Sequence, residues 1–86
     1  MDVFLNIQGR MAYSLDEIED ALDDAFHGLG EVTGSGTGIG GSNFDIEVTD
    51  GTVDVLQAVS IVRKALESYR LPETTHIVVG GHTFKL

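Results

Sequence analysis

Glycine recurs at every second position through Gly34-Ser35-Gly36-Thr37-Gly38-Ile39-Gly40, and Gly41-Ser42 then leads into the strictly alternating Asn43-Phe44-Asp45-Ile46-Glu47-Val48. In an extended chain, side chains two apart share a face. Gly34, Gly36, Gly38 and Gly40 are therefore expected to leave one face of a β-ribbon bare, where backbone can bend sharply or be approached closely. Ribbon and strand together predict a β-hairpin with its tip near Ile39-Gly40-Gly41. The backbone entropy that these glycines lose on ordering predicts faster amide exchange from Gly34 to Gly41 than from Phe44 to Val48.

The flanking elements follow from periodicity. Val3 to Gln8 alternates as a first strand, with Val3, Leu5 and Ile7 on one face and Phe4, Asn6 and Gln8 on the other. Ser14-Leu15-Asp16-Glu17 matches a capping box. The helix after it buries Leu15, Ile18, Ala21, Leu22, Ala25, Phe26 and Leu29 at helical spacing, with His27 expected in its last turn. Glu31-Val32-Thr33 opens a second strand, and Asp50-Gly51 marks a turn. A second helix is expected from about Val53 to Tyr69, with Val55, Ala58, Val59, Val62, Ala65, Leu66 and Tyr69 as its buried stripe and Leu71-Pro72 ending it. His76 to Val79 reads as the last core strand, and Gly80-Gly81 permits a bend or hairpin into an extra strand, His82 to Leu86.

The resulting order, β-α-β-β-α-β, predicts a single α+β domain over residues 1–86. An antiparallel sheet with both helices on one face is required, and the economical solution is a ferredoxin-like βαββαβ sandwich with an extra C-terminal strand. Right-handed crossovers put the first and third strands inside the sheet. The helix-free face then carries Phe4, Asn6 and Gln8 beside Asn43, Asp45 and Glu47.

The chain has 86 residues, a formal net charge of −9 and no cysteine. Absence of cysteine excludes a disulfide framework, a thiolate zinc site and a cysteine nucleophile, and fits a cytoplasmic setting. The charge argues against nucleic acid and anionic membranes as partners. No apolar run reaches the roughly 18 residues of a membrane span. Met1-Asp2-Val3-Phe4-Leu5 lacks the basic region of a secretory signal.

Each candidate site competes with a structural explanation. Gly36-Thr37-Gly38-Ile39-Gly40-Gly41 spells G-x-G-x-x-G, but a strand follows it where a dinucleotide site needs a helix. A bent or bulged hairpin explains the glycines, and no basic residue is expected nearby to help hold an anion. Asp45 and Glu47 share a strand face, with Glu31 expected near them, and are candidates for binding or acid–base work. His27, His76 and His82 have no ligand spacing, and Ser35, Ser42 and Ser60 have no activating histidine beside them in sequence. No catalytic residue, metal or cofactor is expected. An RNA-recognition module shares the element order, but Asp45 and Glu47 stand where it needs aromatic stacking. Asp16, Glu19, Asp20 and Asp23 form a contiguous carboxylate patch on the first helix without interleaved lysine. Like charges four apart repel by a few tenths of a kcal/mol, so the patch reads as a docking surface for a basic partner.

The segment from Gly30 to Val48, through the Gly-rich hairpin, resembles one in small uncharacterised bacterial αβ proteins. In size and charge the chain is also similar to toxin-neutralising immunity proteins. That resemblance implies a protein-interaction module of immunity or inhibitor type; the surfaces expected to bind a basic protein, read from the residues themselves, are Asp16, Glu19, Asp20 and Asp23, the hairpin glycines Gly36, Gly38 and Gly40, and Asp45 with Glu47. Two alternatives stand beside it: a small-ligand regulatory domain similar to amino-acid-sensing modules, and a metal-assisted or acid–base enzyme using Asp45, Glu47 and a histidine. A homodimer is also expected, paired through the terminal strand His82 to Leu86 because Asp45 and Glu47 oppose face-to-face contact.

Overall fold

The computed structural model describes residues 1–38 and 40–86. Among the described residues five strands and two helices succeed one another as β1 (Asp2–Gln8), α1 (Leu15–Ala25), β2 (Gly30–Gly38), β3 (Gly41–Val48), α2 (Val55–Ala65), β4 (His76–Val79) and β5 (His82–Lys85). The strands form one sheet in the order β2-β3-β1-β4-β5, with every neighbouring pair antiparallel. The fold is thus α+β, and β1 and β3 are interior strands.

One face of the sheet carries the core. Val3, Leu5 and Ile7 of β1, Phe44, Ile46 and Val48 of β3, and Ile77 and Val79 of β4 are buried against Ile18, Leu22 and Phe26 below α1 and Ala58, Val59, Val62 and Leu66 below α2. Both helices therefore cover the same face, as the alternation in the strands requires. The other face is open, and Phe4 stands on it 40% exposed.

The helix boundaries differ from the sequence reading in instructive ways. Ser14 Oγ accepts from the Glu17 N–H at 3.2 Å, and the reciprocal capping box forms at α2: Asp54 accepts from the Gln57 N–H at 2.8 Å while Gln57 accepts from the Asp54 N–H at 2.9 Å. That cap leaves Val53 outside the helix. At the other end Leu66 is the C-cap, so α2 stops at Ala65 rather than Tyr69. Tyr69 instead meets Tyr13 edge-to-face at 4.8 Å, and Tyr13 Oη accepts from the Arg70 N–H at 2.9 Å. These contacts bind the end of α2 to the β1–α1 connection. Likewise α1 ends at Ala25, and His27 lies beyond its cap, Phe26.

Two turns decide the sheet's outline. Gly80 and Gly81, at φ +58° and +79°, make a two-residue turn between the paired Val79 and His82, the primed geometry that matches strand twist. At the central hairpin Gly38 pairs with Gly41. Gly40 therefore stands in the turn and off the expected glycine stripe, and Gly41 opens β3 rather than the tip. The remaining residue of the expected tip, Ile39, lies outside the described residues. At Gly41, with φ +144°, a Cβ would collide with the Ile7 carbonyl, so the close approach of β3 to β1 requires glycine there.

Candidate functional site

A register shift between Val32 and Gly34 determines which face the glycines leave bare. Without it, Gly34 would share the core-facing side of Val32. With Thr33 as the extra residue, Gly34 pairs with Asp45, Gly36 with Asn43 and Gly38 with Gly41, so the three β2 glycines beyond the bulge lie on the helix-free face. Ser35 and Thr37 turn toward the helix side, where Ser35 Oγ donates to Glu19 at 3.4 Å. The bulge is a local extra residue, a feature that bends and twists an edge strand. Asp45 and Asn43 lean over the bare backbone: a Cβ at Gly34 would lie 3.4 Å from Asp45 Oδ2, and one at Gly36 would lie 3.3 Å from Asn43 Oδ1.

The same register aligns charge. Glu31 stands opposite Glu47, and Glu47 opposite Asp2, so three carboxylates form one row across β2, β3 and β1. The next row is Gly34, Asp45, Phe4, Val78 and Thr83, and the one after it Gly36, Asn43, Asn6, His76 and Lys85. Like charges directly opposite in a sheet are destabilising, with cross-strand pairs on the scale of about 0.2–1 kcal/mol each.

The α1 patch divides into two. Asp23 Oδ1 accepts from the Val32 N–H at 2.9 Å and Glu19 accepts from Ser35, so both are tied to β2. Asp16 and Asp20 are exposed on the outer surface of the helix. Asp45 and Glu47 lie on the open face of the sheet, away from α1, so the sequence-derived candidates form two acidic surfaces on either side of β2.

Antiparallel alternation sorts the backbone of β2 as well. The Val48 N–H bonds to the Met1 carbonyl at 2.8 Å, which turns Val48 toward β1 and leaves its partner Gly30 facing outward. Followed through the bulge, the outward residues of β2 are Gly30, Val32, Ser35 and Thr37. The Gly30 N–H is taken by the Phe26 carbonyl at 2.9 Å and that of Val32 by Asp23. Among the described residues no partner reaches the outward backbone of Ser35 or Thr37.

Two features escape a reading of the sequence by motif. Arg10, distant from the glycines in the chain, lines a groove of about 490 Å³ with Tyr13, Thr37, Gly38, Gly41 and Ser42. The hairpin thus does have a cation beside it, correcting the expectation drawn from sequence neighbours. Charge is also partitioned. Residues 1–54 hold twelve carboxylates and only Arg10 as a base, while residues 55–86 hold Glu67 and Glu73 against Arg63, Lys64, Arg70 and Lys85. The signal was available by comparing the two parts of the chain. Folding converts it into geometry: the β2 edge with α1 is acidic, whereas Arg63, Lys64 and Lys85 share a groove of about 790 Å³ at the β5 edge with Glu67 and Glu73, beside Leu66, Tyr69, Leu71 and Leu86.

His76 Nδ1 lies 3.0 Å from the Thr74 carbonyl, a local contact. Among the described residues no group of three or more His, Asp or Glu side chains comes together to hold a metal, and no helix is long and apolar enough to cross a membrane. Comparison with protein-family models, with curated proteins and with solved structures finds no match.

Proposed function

We propose that this chain is a small protein-interaction module of immunity or inhibitor type that binds a basic protein partner through the acidic edge formed by α1, β2 and β3. In this reading the first four strands and the two helices take the ferredoxin-like arrangement, supported by the order β2-β3-β1-β4, and β5 is an added strand. The observation that carries the function is the carboxylate row Glu31–Glu47–Asp2. These groups repel one another in the free chain, and a cationic surface laid across them converts repulsion into attraction. Asp16 and Asp20 extend the field around the edge, which favours fast, salt-sensitive association with a basic protein. The setting proposed is the cytoplasm.

The test has two parts. Replacing the middle of the row by Glu47→Gln is expected to stabilise the free chain by about 0.2–1 kcal/mol, read by urea denaturation. A basic protein captured on the tagged chain, purified and rebound, is expected to bind more weakly as salt rises and more weakly still to Glu47→Gln. A partner indifferent to both overturns the reading.

The groove at Arg10 favours a second reading, a regulatory domain for a small anionic ligand, since Arg10 lines it together with Thr37 and Ser42. Thermal stabilisation by such a metabolite, lost in Arg10→Ala, distinguishes it. Self-association through β5 is a further proposal, because it keeps the acidic surfaces of two copies apart. A monomer in sedimentation at high micromolar concentration removes it.

A further inference from the structure

We propose that the outer half of β2, from Gly34 to Gly38, is a docking edge for an extended basic segment of the partner, which joins the sheet as an additional strand. The proposal rests on the interaction reading above and specifies how that surface is used. An edge strand with unpaired N–H and C=O groups is a template for strand addition, in which main-chain bonds give affinity and alternate side chains give specificity. On β2 the inner half has its outward donors closed, because Phe26 and Asp23 occupy the N–H groups of Gly30 and Val32. Beyond the bulge that protection ends, and the outward backbone of Ser35 and Thr37 is open among the described residues.

The glycine stripe gives this edge its selectivity. Gly34 and Gly36 carry no side chain between an incoming strand and β3, so a lysine or arginine stem on the open face can lie across bare backbone and bring its charge toward Asp45. On the opposite face of the added strand, side chains meet Glu19. A basic, alternating segment is therefore matched on both faces, whereas a second β2 would set carboxylates against carboxylates. Arg10, at the hairpin end, limits the basic contact to the part of the edge nearer the bulge.

The probe is a blocked octapeptide of alternating lysine and threonine, compared with the same peptide N-methylated at alternate residues. Methylation keeps the charge and removes half the strand's donors. On the protein, Ser35→Pro deletes an outward N–H that takes no part in the β2–β3 ladder, a position where an edge strand tolerates proline. Ser35→Ala controls for the hydroxyl. The unmodified peptide is expected to bind at low salt and to slow amide exchange at Ser35 and Thr37. N-methylation and Ser35→Pro are each expected to weaken it roughly tenfold, with Ser35→Ala close to wild type. Equal binding of both peptides overturns strand addition and leaves the acidic docking surface standing. Failure of both peptides to bind at low salt overturns the two together. Because the peptide comparison uses the unmodified chain, the test does not depend on how Ser35→Pro folds.

Discussion

The two outer strands of the sheet are guarded by one device in opposite chemical forms. On β2, α1 lends the Asp23 carboxylate to the Val32 N–H at 2.9 Å; on β5, α2 lends the Arg63 guanidinium to the Lys85 carbonyl, at 3.0 Å from Nε and 2.7 Å from the terminal nitrogen. Each helix supplies the charge that the exposed backbone group can use, an acceptor for a donor and a donor for an acceptor. The Leu86 N–H bonds to the Thr75 carbonyl, so alternation turns Lys85 outward, and Arg63 covers a true edge group. The edges differ in reach. β5 has four residues and β2 nine, and α1 closes only the part of β2 before the bulge. A long edge protected over half its length has room for both a stable fold and a docking site.

The largest expected effect compares the anchors beneath the two edges. Phe26 and Leu66 are the C-caps of α1 and α2, 0% and 1% exposed. Phe26→Ala is expected to cost about 3–5 kcal/mol and Leu66→Ala about 2–5 kcal/mol by cavity formation. Losses below about 1 kcal/mol in urea denaturation would detach that helix from the edge it is said to support. Next comes an asymmetry on the β5 side, where the Thr75 hydroxyl is buried with no hydrogen-bond partner among the described residues. Thr75→Val keeps the shape and removes the orphaned group, so thermal unfolding should show a gain of about 1 kcal/mol. A loss of stability there would mean that the hydroxyl is satisfied.

The guards themselves should matter comparably. Asp23→Ala and Arg63→Ala each remove an exposed charge-assisted bond, and each is expected to cost about 1 kcal/mol. Light scattering of Arg63→Ala at increasing concentration should show stronger self-association than wild type, because a β5 edge acceptor is uncovered. Unchanged association would reduce Arg63 to packing alone. The smallest effect lies at the β3–α2 turn. The Thr52 hydroxyl and N–H, at 2.6 and 2.8 Å, hold the Asp50 carboxyl below its ordinary value of 3.8. A depressed carboxyl adds stability above its unfolded value, and that contribution is lost as pH falls through the folded one. An NMR titration of Asp50 should have its midpoint below 3.8, and Asp50→Asn should flatten the acid limb of the stability curve.

Alternation and helical spacing made the core legible: Leu5, Ile7, Leu22, Phe26, Ile46, Val48, Val59, Val62 and Leu66 are all buried, because period 2 and period 3.6 each name one face. The pairing of Phe4, Asn6, Asn43, Asp45 and Glu47 on the open face followed from the same rule. What sequence did not disclose depends on single-residue events or on contacts across the chain. The glycines pointed to a bent or bulged hairpin but not to the place of the bulge: at Thr33 it shifts the phase of the β2 glycines after it, and no propensity marks one extra residue. Asp23 and Glu19 read as solvent-facing because their partners, Val32 and Ser35, are brought beneath α1 only by the turn at Gly28 to Gly30. Arg10 joins the hairpin groove through β1. The early stop of α2 reflects the tyrosine pair holding Tyr69, a tertiary contact.

Among the described residues β2 changes character at its bulge: its outward N–H groups are taken before it and open after it. Amide hydrogen exchange of the free chain tests this residue by residue. The N–H groups of Gly30 and Val32, bonded to Phe26 and Asp23, are expected to be protected. Those of Gly34 and Gly36, turned toward β3, are expected to be protected less than Phe44 to Val48, and those of Ser35 and Thr37 to exchange fastest in the strand. Strong, uniform protection from Gly30 to Gly38 would contradict the account, since it would mean that the edge proposed to receive a partner is already covered.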